Sequence, residues 1–380
     1  MPFNQSIGRP IRVNRALLLG LRAVMGLAIA LLLTNCQKRG TPAEPYLAFV
    51  ANRGSQSVAV VDLGTFTLEK AIALHQHPDL IARRAHSRDL YVAGDEGVDI
   101  LDSLDLRLTR RWNVAGGAGG LTFSADGSTA FLIENSDGKI VAIDCTGRRG
   151  VTVFKSPPGL TGLALTPDGK TLVGESRSKD LVYFIDPKTR QILGSVKTGR
   201  NPGSMVISRD NSKVYIADTG ENLITIAEIP SRALFTHLEI SNPPTLLILK
   251  PDGGEIFALS ASGTRMTILN ATEATVEQML STGHNPTAGV FSRDSSRFYW
   301  ANEGDGTVSS LDVSTRQVLA SIRVGVAPQG LALTPDGRFL IVADGGSSSV
   351  EVVEAASGHL LTAIPTGAQP VSIIIPGWQL

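Results

Sequence analysis

Two histidines sit two residues apart in His75-Gln76-His77-Pro78-Asp79. In an extended segment that spacing turns both rings to one face, where Asp79 and a group from elsewhere would complete a metal site. The spacing is nonspecific, because solvated loop histidines share it. The sequence therefore predicts no metal site, with His75 and His77 as weak candidates. Six histidines, at 75, 77, 86, 237, 284 and 359, are too few and too scattered for a multi-histidine copper centre. No Cys-x-x-Cys-His run attaches a c-type haem, and there is no Gly-x-Ser-x-Gly elbow or P-loop. No cofactor is expected from these motifs. The two cysteines, Cys36 and Cys145, make neither a disulfide scaffold nor a Cys-rich zinc site. Cys145 reads as an inert, partly buried thiol at a strand end. The carboxylates Glu134, Glu175 and Asp79 are the groups a hydrolase would use.

The charges that surround these residues balance, with 35 Lys+Arg against 35 Asp+Glu and no block of one sign. A nucleic-acid partner is not expected, since such affinity rests on cations that neutralise phosphates. Four arginines (Arg9, Arg12, Arg15 and Arg22) precede an uncharged run over residues 23–33. That run is too short to span a bilayer but suits the apolar region of a signal peptide. It ends Leu33-Thr34-Asn35-Cys36, which resembles a bacterial lipobox in which the Cys is lipidated. The pattern prefers a small residue before the Cys, so Asn35 departs from it, and ordinary secretion is the alternative. The expectation is a signal peptide over 1–35, a polar tether over 36–45 and one domain over 46–380. Localisation is then the periplasm or cell surface, anchored by Cys36, with no other membrane contact.

A repeat must position the candidate residues. Asp126, Asp168, Asp210, Asp252, Asp294 and Asp336 each open a turn, and each interval is 42 residues. Prolines at 202, 244, 286 and 328 lie eight residues before the corresponding Asp. In Thr334-Pro335-Asp336-Gly337, Pro presets φ, Asp caps the turn and Gly takes the left-handed position. Short apolar strands flank each turn, four to a unit. Four strands in each 42-residue unit, repeated over 46–380, predict an all-β propeller of eight four-stranded blades. Seven blades is the alternative if the degenerate unit around 75–114 is not a blade. A lone strand after Pro370 is expected to close the ring by joining the N-terminal blade, leaving no unpaired edge.

Phe49-Val50-Ala51-Asn52, Tyr91-Val92-Ala93-Gly94 and Tyr299-Trp300-Ala301-Asn302, with Leu331-Ala332-Leu333-Thr334-Pro335-Asp336-Gly337, resemble the YVTN-family β-propeller repeat of bacterial and archaeal envelope proteins. The resemblance covers 46–380 and implies fold rather than activity, because the family spans binding modules, surface-layer proteins and relatives of enzymes. Function is sought where one unit departs from its siblings. Asn52, Asp218, Asn302 and Asp344 read as turn caps. Arg53, His77, Glu134, Glu175, Arg200 and His284 are less expected from the repeat and are predicted to form a ligand-binding rim at the channel mouth. His86, Arg83 and Arg84 are placed at the opposite face, and Trp112, Trp300 and Trp378 are assigned to packing. The leading functional reading is a monomeric, non-catalytic binding or scaffold propeller whose partner is an envelope protein, a glycan or a small molecule. The enzyme alternatives are a lactonase-like hydrolase and a relative of the eight-bladed haem d1 domains, where His77 or His284 would be the axial candidate.

Overall fold

A computed structural model describes residues 46–147, 150–154, 156–157 and 159–377. The leader, the Cys36 motif, the tether and Trp378 lie outside the described residues. The described residues form eight four-stranded antiparallel sheets, as the 42-residue period requires. Blade 1 holds the strands Leu47–Asn52, Ser57–Asp62 and Thr67–Ala73, completed on its inner edge by Pro370–Ile374. Blades 2 to 8 then run 78–113, 118–154, 162–197, 202–239, 246–281, 286–323 and 328–365, each from inner to outer strand. The unit around 75–114 is thus a full blade, so the seven-bladed alternative fails.

Strand position within a blade sets what the sequence must supply. Second and third strands are covered on both faces by neighbouring blades, so Leu47–Asn52 and Phe339–Asp344 are buried almost throughout. Near-continuous apolar runs there follow from that double cover. Outer strands face solvent, and Gln317–Arg323 alternates between exposed and half-buried residues near its end.

Two local devices repeat. At the turn between first and second strands, Asp336 Oδ1 accepts from Thr334 Oγ1 (2.6 Å) and from the Arg338 amide (3.0 Å). Gly337 takes the left-handed position (φ 73°) there. The same Asp hydrogen bonds hold Asp126, Asp168 and Asp294. Between blades, a second-strand tyrosine reaches forward: Tyr215 Oη donates to the Ala271 carbonyl (2.5 Å), and Tyr299 Oη to that of Ala355 (3.3 Å).

Closure is by strand exchange across the termini of the domain. Phe49 pairs with Ile374, Val50 with Ile373 and Ala51 with Ser372. Ser372 Oγ also accepts from the Ile81 amide of blade 2 (3.4 Å), so the closing strand ties to its neighbour as well.

Candidate ligand site at the loop end of the ring

The loops that lead from one blade to the next, and those that join second to third strands, emerge at the same end of the ring. The connecting loops carry a Gly-x-x-Pro segment in which the residue before Pro is left-handed, as at Asn201 (φ 55°), Asn285 (φ 49°) and Ala327 (φ 54°). A buried polar pair on the second and third strands receives the glycine. In blade 7, Asn302 Oδ1 accepts from the Gly283 amide (3.1 Å) while its Nδ2 donates to Ser309 Oγ (2.9 Å). In blade 5, Thr225 Oγ1 accepts from the Gly199 amide (3.2 Å) and bonds Asp218 Oδ2 (2.7 Å). Asn52, Asp218, Asn302 and Asp344 are at most 1 % exposed. They are therefore not caps of their own turns, as expected above: Asn52, Asn302 and, through Thr225, Asp218 anchor the incoming loop from the preceding blade, and in blade 8 Glu351 beside Asp344 takes that bond.

The six predicted rim residues all map to this end, but they do not form one cluster. His284 is 72 % exposed, and its Nδ1–H donates to Asp305 Oδ1 (2.8 Å). Asp305 Oδ2 also accepts from the His284 amide (2.7 Å), and these bonds hold the Asp305 carboxyl below its ordinary range. Imidazole and backbone are thus fixed by one carboxylate, and Nε2 has no protein partner among the described residues. Arg200 pairs with Glu221 (2.8 Å). His77 is spent: Nδ1–H donates to the Arg53 carbonyl (2.9 Å), and Nε2 accepts from Gln56 Nε2 (2.9 Å). Arg53 forms an ion pair with Asp79. Of the six, only Arg53 and His77 touch. Among the described residues no three metal-capable side chains come together, so His75 and His77 gain no third donor.

Glu134 lines a cavity of about 810 Å³ with Asp95, Glu96 and Arg111, where Arg111 pairs with Glu96 (2.7 Å). Glu175 is not on the rim at all. It is 2 % exposed and stands where the siblings carry Ala51, Ala93, Ile133, Ala217, Leu259, Ala301 and Ala343. Gly162, opposite it in register, makes room; a Cβ there would fall 2.6 Å from Glu175 Oε1. Thr161 Oγ1 donates to Oε1 (3.0 Å), but Oε2 is buried without a partner. Burial pushes this carboxyl up to about 7, against the smaller opposing effects of Thr161 and Arg177.

The buried acids Asp99 and Glu351 escaped the sequence reading, and Asp218 and Asp344 were read only as turn caps. Asp99 is 0 % exposed, accepts from Gln76 Nε2 (3.1 Å) and is raised by burial. Asp218 is pushed up to about 6 by burial. Glu351, 5 % exposed, lies against Asp344. A signal was present: at the third position of the third strand the siblings have Ala59, Val141, Tyr183, Thr225, Thr267 and Ser309, and only Asp99 and Glu351 are acids. Asp305 and Glu221 were missed although they follow the period: with Asp95 and Asp137 they occupy one repeat position, and Asp95, Glu221 and Asp305 each accept from the amide of a connecting loop.

Away from this end, Arg84 Nη1 donates to the Cys145 carbonyl (2.8 Å) at the opposite face, and the Cys145 thiol is buried and raised by burial. Trp300 is fully buried and stacks on Phe298. A groove of about 980 Å³ between blades 7 and 8 includes Tyr299, Leu319 and Pro335. Similar grooves recur between blades 3 and 4 and between blades 5 and 6, so they follow from the wedge between blades.

The cytochrome D1 heme domain is the family whose model matches this chain, over residues 252–373. That segment holds blades 7 and 8, most of blade 6 and part of the closing strand, and it includes His284 and Asp305. Solved structures with the same fold include dihydro-heme d1 dehydrogenase NirN in complex with DHE: TM-score 0.76, 14% identity, 89% of this chain and 76% of that one. Apo AztD from Citrobacter koseri matches with TM-score 0.68 and 13% identity, over 87% of this chain and 97% of that one. A functionally unknown protein from Desulfotomaculum acetoxidans DSM 771 matches with TM-score 0.62 and 14% identity, over 87% and 98% of the two chains. Identities this low show the fold alone. No curated protein matches the sequence.

Proposed function

We propose that the protein is a haem d1-type propeller that binds an iron tetrapyrrole at the loop end of the ring, where His284 would hold the iron. The observation that carries this reading is the state of the two candidate imidazoles. His77 has both ring nitrogens engaged by protein groups, whereas His284 has Nδ1 held by Asp305 and, among the described residues, no partner at Nε2. A carboxylate on the far nitrogen is the usual support of a metal-bound histidine, since it sets the tautomer and raises basicity. The family match over 252–373 contains this pair. Arg177, 55 % exposed and only 4.0 Å from Glu175, and Arg200 are the cations that would take a tetrapyrrole's acidic substituents. When bound, the iron supplies redox and small-ligand chemistry. The chain's own part is to hold and orient the group.

The lactonase-like alternative has less support, because Asp79 is tied to Arg53 and Glu175 is enclosed beneath Gly162. Envelope localisation belongs to the same proposal. It rests on the basic leader and the Leu33-Thr34-Asn35-Cys36 run, with lipidation at Cys36 as the anchor, and on the YVTN-type repeat. The deciding experiment titrates the purified full-length mature chain with ferric haem and with haem d1, following the Soret absorbance, beside native mass spectrometry of protein from its own cells. A saturable one-to-one complex that His284→Ala abolishes is expected. A wild-type chain that gives no complex with either group, and no mass beyond the polypeptide, overturns the reading.

A further inference from the structure

Blade 8 departs from its siblings at the polar pair that receives the connecting loop. Blade 5 uses Asp218 with Thr225, and blade 7 uses Asn302 with Ser309. Blade 8 instead places two carboxyls together, Asp344 and Glu351, 0 % and 5 % exposed. Neither Asp344 oxygen makes a well-formed hydrogen bond among the described residues, and the Glu351 carboxyl and the Gly325 backbone are the groups that lie against it. Two carboxylates in contact and out of water cannot both be ionised without strong repulsion, and the stable arrangement holds one proton between them.

The pair holds a loop. Glu351 Oε2 accepts from the Gly325 amide (2.5 Å), and Ser347 Oγ, beside it, accepts from the Val326 amide (2.7 Å). A Cβ on Gly325 would fall 2.7 Å from Glu351 Oε1, so the loop backbone lies directly on the acids. On its other side the loop meets blade 7. The Val324 amide donates to the Gly306 carbonyl (3.0 Å), and a Cβ on Gly306 would fall 2.8 Å from the Gly325 carbonyl. Gly306 directly follows Asp305, which fixes His284.

We propose that one proton shared by Asp344 and Glu351 latches the 324–327 loop, and that its loss loosens this loop and the Asp305–His284 pair beside it. The proposal deepens the reading of His284 as the ligand-facing group, but its test needs no ligand. Among the described residues, Glu351 is the only charge that acts on Asp344. The 324–327 loop is Val-Gly-Val-Ala, the 345–348 loop is Gly-Gly-Ser-Ser, and Gln329 of the inner strand turns away to Glu303 (3.4 Å). Burial and the Glu351 charge push Asp344 up to about 9, which sets where the latch should release.

The experiment follows the His284 ring signal by NMR in the full mature chain with labelled histidine, assigned by its loss in His284→Gln. Wild type is expected to show a step in that signal near pH 9. Asp344→Asn, the residue blades 1 and 7 already carry, should remove this step. Glu351→Thr, matching blades 5 and 6, serves the same purpose if the Asn variant fails to fold. A step near pH 9 that survives the substitution, or a wild type without one, overturns the latch. Failure of haem binding would leave this result untouched, so the two ideas fail separately.

Discussion

The Asp305 carboxylate spans His284, accepting from its amide at 2.7 Å and from its Nδ1–H at 2.8 Å. A side chain that is 72 % exposed would ordinarily sample several rotamers, and here one loop acid selects a single ring orientation. This order at a solvent-facing imidazole is what a ligand approaching Nε2 would meet.

Asp305→Asn is therefore expected to keep the fold and weaken iron-tetrapyrrole binding by about 10-fold or more, the usual cost of losing a metal histidine's supporting carboxylate. The measurement is the Soret titration of wild type and variant at one pH. His284→Ala should bind more weakly still. Equal affinities for Asp305→Asn and wild type would show that the pair orders the loop without serving the ligand.

Glu175→Ala should stabilise the protein at neutral pH. The carboxyl sits where seven siblings bury an apolar side chain, and Oε2 has no partner. Removing it relieves the desolvation cost and forfeits some packing, for a net gain of about 1–2 kcal/mol. Urea unfolding of both chains at pH 7.5 decides the sign. Expressed as a shift in stability with pH, the gain should shrink towards pH 5, where the native carboxyl is protonated.

Much of the fold was legible in the sequence because its signals are local and periodic. The Asp336 turn, the apolar second strands and the proline before most units repeat at one interval, and closure followed from the leftover strand after Pro370. The site was less legible. Arg53, Arg200 and His284 were found as departures on loops, where a charge has no packing reason to be. Glu175 was found the same way but misplaced, because one position along a strand separates the rim from the space beneath Gly162. Asp99 and Glu351 went unseen because an acid inside an alternating strand reads as solvent-facing. In a propeller both strand faces are covered, so that alternation no longer reports exposure.

The pH dependence of stability should be unusual. Asp218, Glu175 and Asp344 are raised, to about 6, 7 and 9. Each native carboxyl holds a proton that the unfolded chain releases at lower pH. Their stabilising contribution is present at acid pH and is lost as pH rises to each folded value, at about 1.4 kcal/mol per proton per pH unit. The turn acids Asp126, Asp294 and Asp312 run the other way, lowered to about 2 by hydrogen bonds from neighbouring Ser hydroxyls and backbone amides. Their contribution is present above about pH 4 and lost as pH falls towards 2. Stability should therefore peak at about pH 4–5 and decline steadily to pH 9. Thermal melts across this range test it, and a maximum above pH 7 would contradict the burial of these acids.

Ring closure yields the last prediction. Pro370–Ile374 is the inner strand of blade 1, and its removal leaves the edge of Leu47–Asn52 unpaired against the channel. The loss extends to blade 2, because Ser372 Oγ accepts from the Ile81 amide, and to blade 8, where the Val371 carbonyl would lie 3.2 Å from a Cβ on Gly330. Blades in a ring are stabilised through their neighbours, so an open ring loses both the strand and the coupling it supplies. Deleting residues 370–380 should give insoluble protein or a melting temperature lower by 10 °C or more, on the order of several kcal/mol for a domain of this size. Adding the peptide 368–380 in trans should recover part of the loss, since the groove it would fill is a preformed strand edge. A truncated chain that melts within a few degrees of full length would mean that the ring is held by the other seven blades alone.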